Sequence, residues 1–409
     1  MMSSPDVAVI GAGVGGGAIA YALAKSGLSV AVLERSDQHV DRVRGEWLAP
    51  WGVAEAQAVG LLEALEEAGG TYLARMVSYD ENVDAEAAEA AAMDCRALHP
   101  AGTGPMSIAH TTMCDTFDAK AVKAGAVLLR PIKDLRVQSG RRPRVSFVHN
   151  GALQEWTPKL VIGADGRTSS VRRQLGMTMM HDEPHHFVGG MLVDGVPDWP
   201  REQLSLGTEG DFHYLVFPQS TSRVRLYACY GPAHRQRFTG PGRERSLLDA
   251  FALKCLPLGD RIAGAQPIGP FHSVSNEDHW LDEPLDAGVV LLGDAAGFND
   301  PTIGQGLSIT LRDVRVLSEL ILNGAQTQED FAPYAEERQE RMRRFRVTAR
   351  FWSVLHTEFG ADAAARRARA LHRALAEGML SPIMAMFAGP ETLPPEAFET
   401  KTLDALLAA

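Results

Sequence analysis

One stretch near the start of the chain, residues 7–34, constrains the fold more than any other. It begins with an apolar run of β-strand type, and Gly11, Gly13 and Gly16 follow at GxGxxG spacing before an alanine-rich segment of helical character. A second apolar run ends at Glu34, about 20 residues beyond the glycines, where a dinucleotide-binding βαβ unit carries its acidic residue. The glycines permit a tight turn, a close approach to a pyrophosphate and close helix–strand packing. The phosphates lie at the helix N-terminus, and Glu34 accepts hydrogen bonds from a ribose.

The same stretch has two plainer interpretations, a glycine-rich turn and a transmembrane helix. Residues 7–24 are uncharged, and a membrane span needs about 20 predominantly apolar residues, so length alone does not decide. However, Lys25 and Gly27 end the helical segment, and another β-type run follows at βαβ distance. This context favours dinucleotide binding.

Composition and charge narrow the function classes. The chain has 409 residues, 45% hydrophobic and 22% charged, as in a globular protein long enough for two interleaved domains and a tail. Its formal net charge of −11 disfavours nucleic acid or an anionic membrane as a partner, because both reward clustered positive charge. A small molecule is therefore the expected partner, and a homodimer is left open.

The cysteines and the N-terminal residues bear on location. No CxxC pair occurs among the four cysteines, so we expect neither a metal site nor a disulfide framework, and we expect reduced thiols in the cytoplasm. Residues 1–5 lead almost directly into the first strand, which predicts no signal or transit peptide.

A second informative stretch, residues 160–173, is an apolar strand that runs into the sequence GADG. Its Asp165 follows the strand end, and Ser170 caps or opens the helix after it. An acidic residue at a glycine-rich strand end is also typical of a simple turn, so both interpretations stay open.

A third stretch, residues 288–317, contains a buried-type strand that ends at Gly293 and Asp294. A carboxylate at the carboxyl end of a strand lies where open α/β sheets bind ligands. The loop after it carries Gly304 and Gly306 and leads into a helix from about Leu307. The turn frees backbone N–H groups to face an electron-rich ligand, and the helix adds its positive end.

Between residues 177 and 281 the pattern changes to short β-type runs separated by Gly, Pro and Ser, which predicts a mainly antiparallel sheet. Period-two alternation places His213, Leu215 and Phe217 on one face and Phe212, Tyr214 and Val216 on the other. One face is expected to wall a substrate pocket, although plain core is the commoner role of such residues. The candidate substrate residues are Tyr214, Phe217, Arg225 and Tyr227.

Helical patterns occur elsewhere. Residues 53–68 have one apolar stripe, and residues 84–93 indicate an exposed helix or a mobile insertion. Beyond residue 322 the chain is predicted to be helical, and the arginines of residues 334–351 are interpreted as a solvated face paired with glutamates.

The GxGxxG with its glutamate, the GADGRTSSVR sequence and the GDAA followed by PxxGxG occur in this order, and together they resemble the FAD-dependent aromatic hydroxylases, the p-hydroxybenzoate hydroxylase-like (group A) flavoprotein monooxygenases. The resemblance covers most of residues 7–322. It implies an α/β fold in which a Rossmann-like FAD-binding domain of the GR2 type is interleaved with a β-sheet substrate domain and followed by a helical C-terminal region. The expected FAD-binding domain comprises residues 1–75, 106–176 and 284–322, the substrate domain 76–105 and 177–283, and the C-terminal region 323–409.

The resemblance also implies roles for individual residues. Glu34 binds the adenosine ribose, Asp165 belongs to a segment that serves the FAD pyrophosphate and the NAD(P)H path, and Asp294 holds the ribityl chain. Pro301 and the backbone of residues 304–306 lie beside the isoalloxazine ring, and Arg44 lies near the flavin. The full set of expected cofactor-binding residues is Gly11, Gly13, Gly16, Glu34, Arg35, Arg44, Asp165, Gly293, Asp294, Pro301, Gly304, Gly306 and Leu307.

The chain departs from this family at three positions. Gly297 stands where a histidine often follows GDAA, and Ser308 stands where asparagine is favoured after the final glycine of the loop. His110 occupies a position that is frequently an arginine.

The implied chemistry is a monooxygenation that uses FAD, NADH or NADPH, and O₂. NAD(P)H reduces FAD, O₂ adds to the reduced ring at C4a, and the flavin hydroperoxide transfers one oxygen atom to an aromatic or polycyclic small molecule. The main catalytic task of the fold is to exclude water. The expected catalytic residues are Arg44 and Pro301, with His213 and His110 as candidate general bases.

Two rival functions stay open, and a third, a halogenase, is disfavoured. A flavin-dependent reductase of the geranylgeranyl reductase type also tends to carry GDAAGF followed by DP, as residues 293–301 do here. A halogenase is disfavoured, because the WxWxIP signature of that class does not occur in the sequence. A flavin-loaded binding or chaperone protein is the non-catalytic alternative, and substrate-stimulated oxidation of NAD(P)H would distinguish an enzyme from it.

Overall fold

The computed structural model describes residues 3–41, 43, 45–375, 377 and 379–408. In chain order the strands are β1 Val7–Ile10, β2 Val30–Leu33, β3 Trp47–Leu48, β4 Thr71–Tyr72, β5 Arg75–Asp80, β6 Met93–Asp94, β7 Met106–Ser107, β8 Val127–Leu129, β9 Ile132–Gln138, β10 Arg144–His149, β11 Ala152–Trp156, β12 Leu160–Gly163, β13 Met180–His181, β14 His186–Asp194, β15 Gln203–Glu209, β16 Phe212–Pro218, β17 Arg223–Tyr230, β18 Gln266–Pro267, β19 His272–Asn276, β20 His279–Trp280, β21 Leu285–Asp286, β22 Val289–Leu291 and β23 Gly297–Phe298. The α-helices are α1 Val14–Lys25, α2 Pro50–Val59, α3 Leu62–Glu67, α4 Ala85–Ala90, α5 His110–Lys123, α6 Ser170–Gln174, α7 Arg243–Ala250, α8 Gly259–Ala263, α9 Gly306–Leu322, α10 Ala332–His356, α11 Ala361–Leu375, α12 Ala385–Ala388 and α13 Thr400–Leu407. Short 3-10 helices span Cys95–Leu98, Pro232–His234, Gly293–Ala295, Pro301–Ile303, Glu329–Phe331, Pro382–Met384, Pro390–Thr392 and Pro395–Phe398.

A six-stranded sheet gathers the three informative stretches of the sequence. Its order is β21-β22-β12-β1-β2-β8, and the five strands from β22 to β8 run parallel. Helices α1, α5 and α9 cover one face, while the small sheet β9–β11 covers the other. Because both faces are buried, the strands are continuous apolar runs and not alternating ones. The predicted Rossmann-like α/β domain is therefore confirmed.

An eight-stranded sheet forms the second layer, in the order β18-β14-β17-β16-β15-β5-β6 with β19 also paired to β14. Strands β14 to β17 are antiparallel, whereas β5 joins β15 in parallel. The alternation predicted for β16 is confirmed: Phe212, Tyr214 and Val216 pack under helices α7 and α8, and Leu215 and Phe217 face the opposite way. We call the side that packs under α7 and α8 the outer face of the sheet, and the opposite side the inner face.

The C-terminal region is helical, as predicted, and it packs on the inner face. Met342 and Phe345 of α10 and Phe387 of α12 share one apolar cluster with the sheet. The interpretation of the α10 arginines as a solvated face is wrong for two of them, because Arg338 and Arg341 are 1% and 3% exposed. Their positions face α9, where a buried aspartate pairs with both.

Two smaller expectations also change. The single helix predicted over residues 53–68 is two helices, α2 and α3, because Gly60 adopts a left-handed conformation that ends α2. The alanine-rich segment forms the short helix α4, which Asp84 caps by accepting from the backbone N–H groups of Glu86 and Ala87. Within the described ranges, no helix has both the length and the apolarity needed to cross a membrane.

Candidate functional site

Two helix N-termini meet at the carboxyl edge of the six-stranded sheet. A Cβ atom added at Gly15 of α1 would lie 2.4 Å from Leu292 Cδ1 and 2.9 Å from Thr310 Cγ2, so the first turns of α1 and α9 are in contact. Within the described chain, no side chain caps either helix, and neither first turn carries an acidic residue. Their free N–H groups and the positive ends of both helix dipoles therefore converge on one anion-binding edge.

The glycines of the first loop have the predicted roles in packing. A Cβ atom at Gly16 would lie only 1.8 Å from the carbonyl oxygen of Gly11, so no larger residue fits between α1 and β1. At Gly13 and at Gly306 the same atom would meet nothing within 4 Å among the described residues. Open space thus lies directly above both helix N-termini.

Carboxylates mark the two ends of this edge. Glu34 follows β2, and its Oε2 accepts a hydrogen bond from the backbone N–H of Ala12 at 2.9 Å. Asp294 follows β22, and its Oδ2 lies 3.3 Å from Nε of Arg167. Three strand spacings separate β2 from β22, so these two strands lie about 14 Å apart. An extended dinucleotide suits that span.

Asp165 has a local structural role. Both of its carboxylate oxygens accept hydrogen bonds from the first turn of α6, namely from the Ser169 hydroxyl, from Ser170 and from the Val171 N–H. Ser170 opens that helix as predicted, and Ser169 is its N-cap. The side chain thus stabilises a helix-entry turn at the carboxyl end of β12, and its role toward a nucleotide stays a prediction.

The inner face of the eight-stranded sheet closes over the other end of the edge. Leu215 and Phe217 belong to the same buried cluster as Trp47 and Ile303, and the Trp47 ring lies against Gly304. The loop that precedes α9 therefore has an apolar and aromatic wall in front of it. Such a wall excludes water from the space next to the loop.

A hydrogen bond and a ring stack hold that loop in place. The Trp51 indole N–H of α2 donates to the side-chain oxygen of Gln305 at 2.8 Å, and its ring stacks on Phe345 of α10 at 5.7 Å. Both Trp51 and Gln305 are at most 2% exposed. From the sequence, Trp51 is a weak indication of an aromatic or polycyclic ligand, whereas Gln305 is not singled out, and nothing in the linear pattern pairs the two.

A family model described as an FAD binding domain matches residues 4–347 of the chain. The chain belongs to this FAD-binding family. Squalene epoxidase 2, mitochondrial, from Arabidopsis thaliana is 24% identical over 351 residues, which are 82% of this chain and 57% of that protein. The chain therefore spans less than two thirds of the length of this relative.

Solved structures share the fold across nearly the whole chain. The flavin-dependent brominase Bmp2 superposes with a TM-score of 0.74 at 16% identity, over 98% of this chain and 97% of that one. Aklavinone-11 hydroxylase, solved with FAD and aklavinone, superposes with a TM-score of 0.71 at 17% identity, over 87% of this chain and 70% of that one.

FAD is the cofactor of this chain, and the residues present fit it. The N-terminus of α1, left open at Gly13, would receive the pyrophosphate, and Glu34 would accept from the adenosine ribose. Asp294 and the open N-terminus of α9 at Gly306 would hold the ribityl and ring end. Gly293 is held by the buried Asp313, which accepts its backbone N–H at 2.8 Å.

Packing explains two departures from the hydroxylase pattern. Gly297 pairs with Trp280 in the strand pair β20–β23, and a Cβ atom there would lie 2.8 Å from the carbonyl oxygen of His279. No histidine fits at this position. Ser308 is fully buried, and its hydroxyl accepts the backbone N–H of Ala49 at 3.2 Å in a gap left by Gly52. Both changes support the loop that carries the FAD-binding residues.

The predicted flavin-side residues lie in different settings. Arg44 lies outside the described residues, and Arg35 is exposed beyond the end of β2. Pro301 opens the 3-10 helix before α9, and Leu307 follows Gly306 within α9. The structure thus gathers the residues of the first and third stretches at the sheet edge where α1 and α9 begin. We call it the FAD edge.

The two candidate general bases differ in burial and in hydrogen-bond partners. His110 begins α5, and its Nδ1 lies 3.3 Å from the carbonyl oxygen of Gly45 in the segment beside the FAD edge. His213 is fully buried on the inner face, with Nδ1 2.9 Å from the Thr208 hydroxyl. Burial lowers the pKa of His213 to about 3, so its imidazole is neutral and holds no second proton at neutral pH.

The four candidate substrate residues do not share one pocket. Tyr214 is wrong as a lining residue, because alternation along β16 places it in the outer core, where its hydroxyl contacts the Cys255 sulfur at 3.8 Å. Phe217 and Tyr227 are on the inner face, with ring centroids 5.7 Å apart.

Arg225 is paired inside the protein. Its Nε and Nη2 donate to both carboxylate oxygens of Glu46 at 2.7 and 2.8 Å, and Nη2 also reaches Asp41 at 2.7 Å. This buried pair joins the sheet to the segment around residues 41–46. These contacts support a structural role for Arg225, which joins the sheet to that segment.

Proposed function

We propose that this chain is an FAD-dependent monooxygenase that uses NAD(P)H and O₂ to oxygenate an aromatic or polycyclic small molecule. The bound flavin supplies the redox chemistry with O₂. The observation that carries the proposal is the inner face of the sheet, whose Leu215 and Phe217 share one buried cluster with Ile303 of the loop that leads into the FAD edge. That face excludes water and offers aromatic contacts to an apolar ring system.

Residues of the chain would supply charge stabilisation and proton transfer. The N-terminus of α9 would stabilise negative charge on the reduced flavin through its backbone N–H groups. His110, beside Gly45, stays a candidate for proton transfer near the ring. Arg44, Pro301 and the other residues implied by the hydroxylase resemblance stay part of the proposal.

Substrate class is the finer part of the proposal. The hydroxylase with aklavinone shares the fold, and the squalene epoxidase shares sequence, so ring systems and long alkenes are the two classes to compare. Phe217 and Tyr227 meet edge to face on the inner face, which favours a flat ring over a flexible chain.

The test supplies FAD-loaded protein with NADH or NADPH, oxygen-18 gas and panels of aromatic, polycyclic and long-chain alkene compounds. We expect substrate-stimulated NAD(P)H oxidation and one heavy oxygen atom in an aromatic or polycyclic product, measured by mass spectrometry. Loss of a double bond without heavy oxygen would show the reductase, and a halide-dependent product would show a halogenase. Bound FAD with no stimulated turnover would show the binding protein.

A matched pair of variants on β16 locates the pocket. Phe217→Leu on the inner face is expected to raise KM by about tenfold, because the pocket loses a ring contact. Phe212→Leu makes the same change on the outer face and should leave KM unchanged. Equal effects of both variants would argue against a pocket at the inner face.

The domain division at residues 76, 106, 177, 284 and 323, the homodimer and the cytoplasmic location also belong to this proposal. All four cysteines are buried, and no disulfide joins them in the described part of the chain, which suits a reducing compartment. Light scattering of the purified protein checks the homodimer.

A further inference from the structure

A buried polar cluster lies directly behind the loop that leads into α9. We call it the Asp300 cluster, and its members come from four segments that are distant in sequence. They are His186 of β14, Asn276 of β19, Asp278, Asp300 and Ser353 of α10. Each of these side chains is nine-tenths or more buried.

Asp300 is the centre of the cluster. Its backbone N–H donates to Oδ1 of Asp278 at 2.9 Å, and its own Oδ1 accepts from the backbone N–H and the hydroxyl of Thr302. Its Oδ2 lies 3.4 Å from Nε2 of His186 and 3.4 Å from the Ser353 hydroxyl. Because Asp300 immediately precedes Pro301, this carboxylate is next to the loop that supports the FAD edge.

Several polar atoms of the cluster have no hydrogen-bond partner among the described residues. They include Nδ1 of His186 and both amide atoms of Asn276. The two residues stand opposite each other in the β14–β19 pair, and Nε2 of His186 lies beside Asp300. Buried polar groups of this kind are normally satisfied by ordered water, which needs two to four polar partners.

The cluster is connected to the surface through a second pair. The backbone N–H of Asp278 donates to Oδ1 of Asp182 at 2.7 Å, and Oδ2 of Asp182 lies 2.9 Å from Nε2 of His185. The side chains of Asp182 and His185 are each about one third exposed, at 34% and 33%. Asp182, Asp278 and Asp300 therefore form a row from the surface inward, in which each link is a backbone N–H that donates to the carboxylate before it.

The members of this row differ in charge. Burial, together with the neighbouring Asp300, raises the pKa of Asp278 to about 8, so this carboxyl carries a proton at neutral pH. Burial also opposes ionisation of Asp300, but His186 and the Thr302 hydrogen bonds hold the pKa of Asp300 below its usual value. Other titratable or charged groups facing the row are Asp182, His185, His213, Cys229 and Arg346.

The proposed reaction requires such a row. In each turnover NAD(P)H gives a hydride, the O–O bond of O₂ breaks, one oxygen atom joins the substrate and the other leaves as water. That water takes the hydrogen of the hydride and one proton from solvent, so a proton must reach a site from which water is excluded.

We propose that Asp278 and Asp300, bridged by water held at His186 and Asn276, carry this proton from the Asp182–His185 pair to the loop beside FAD. The proposal rests on the proposed function for its role in oxygenation. The proton path itself is testable without a substrate, because reoxidation of the reduced enzyme by O₂ to give hydrogen peroxide also takes up one proton.

The first measurement is infrared spectroscopy of the protein without added substrate. We expect a protonated-carboxyl band at neutral pH that shifts in D₂O and is absent from Asp278→Asn. The control Asp194→Asn changes an aspartate at the far end of β14 that accepts from Ser222 and Arg223, and it should keep the band. A wild-type spectrum without the band, or a band that survives in Asp278→Asn, would overturn the proposal.

The second measurement is rapid-mixing reoxidation of the NAD(P)H-reduced enzyme with O₂ at several pH values. In Asp278→Asn we expect about tenfold slower reoxidation above pH 7 and a larger solvent deuterium isotope effect, while anaerobic reduction by NAD(P)H stays unchanged. Asp194→Asn should match the wild type in both. Wild-type reoxidation in Asp278→Asn would contradict the path.

One outcome separates this inference from the proposed function, and a second variant covers a failure of the first to fold. If Asp278→Asn slows reoxidation but the wild type puts no heavy oxygen into any compound, the path stands and the monooxygenase proposal fails. If Asp278→Asn does not fold with FAD, Asp182→Asn at the exposed end of the row makes the same test. It should slow reoxidation about threefold, and an unchanged rate there would overturn the path.

Discussion

Arg338 of α10 and Asp313 of α9 form an ion pair in which neither side chain is more than 1% exposed, with Nε 3.1 Å from Oδ2. The remaining guanidinium nitrogens of Arg338 donate to the carbonyl oxygens of Ala296, Gly293 and Gly297. One arginine from the C-terminal region thus holds the loop that carries Asp294. The FAD edge is therefore completed by a helix that lies beyond all three informative stretches of the sequence.

Replacing this arginine should weaken the whole edge. We expect Arg338→Met to lower the free energy of unfolding by about 3 kcal/mol, because a buried carboxylate loses one partner and three loop carbonyls lose the guanidinium as a donor. Urea titration of the apoprotein measures this change, and flavin fluorescence measures the accompanying loss of FAD affinity. Arg343→Met on the exposed side of α10 is the control, with a change of at most about 1 kcal/mol. Similar midpoints for both variants would contradict the role of Arg338.

A methyl group at the first loop should separate cofactor affinity from stability. Gly13→Ala places its Cβ in open space, so the apoprotein should lose no more than about 1 kcal/mol. FAD binding should weaken by about tenfold or more, because the methyl stands where the pyrophosphate approaches the backbone. Gly231→Ala is the matched control. Like Gly13, Gly231 is an N-cap with open space around it, but it precedes the short 3-10 helix Pro232–His234. Unchanged FAD affinity in Gly13→Ala would place the pyrophosphate elsewhere.

The buried Arg225–Glu46 pair should show a cost that depends on pH. Arg225→Met leaves the Glu46 carboxylate buried without its main partner, and we expect a loss of about 3–5 kcal/mol at neutral pH. Burial already raises the pKa of Glu46, and loss of the guanidinium raises it further. The folded variant therefore takes up a proton as pH falls, so the deficit should be smaller at pH 5 than at pH 8.

Unfolding experiments across that range test the sign. Arg223→Met removes an arginine from the same face and strand, but Arg223 is half exposed, so its loss should be within about 1 kcal/mol. A deficit in Arg225→Met that grows toward pH 5 would contradict the account.

His213 should make the protein sensitive to acid. Burial lowers the pKa of His213 to about 3 in the folded state from the ordinary histidine value of 6.5, so between these values the unfolded chain binds more protons. The contribution of His213 to stability is complete above pH 6.5 and is lost as pH falls, by about 2 kcal/mol at pH 5. His213→Gln should flatten this dependence, whereas His272→Gln on the surface should not. A wild-type midpoint that stays constant from pH 7 to pH 5 would be the contrary result.

Much of the FAD edge was predictable from the sequence because its determinants are local. The spacing of Gly11, Gly13 and Gly16 and the position of Glu34 follow from the geometry of one strand, one turn and one helix. The alternation of β16 was equally readable, since a strand has a fixed period of two. Local rules of this kind do not depend on the rest of the chain.

The polar interior was not predictable in the same way. Arg338 and Arg341 have the spacing of a solvated helix face, and Arg225 has the alternation of a pocket residue, yet all three are buried ion pairs. The buried carboxylate that each of them meets lies 25 or more residues away, and nothing in a linear pattern marks which of the distant carboxylates will meet which guanidinium.

The sequence alone determined the Rossmann-like half, the sheet alternation and the FAD-binding loops, because short-range spacing and apolar periodicity dictate them. Only the tertiary structure decided which side of the eight-stranded sheet packs against the loop before α9, why Gly297 and Ser308 stand where they do, and how His186, Asp278 and Asp300 come together. The physical reason is that burial assigns charge and hydrogen-bond partners, and burial depends on how distant segments pack.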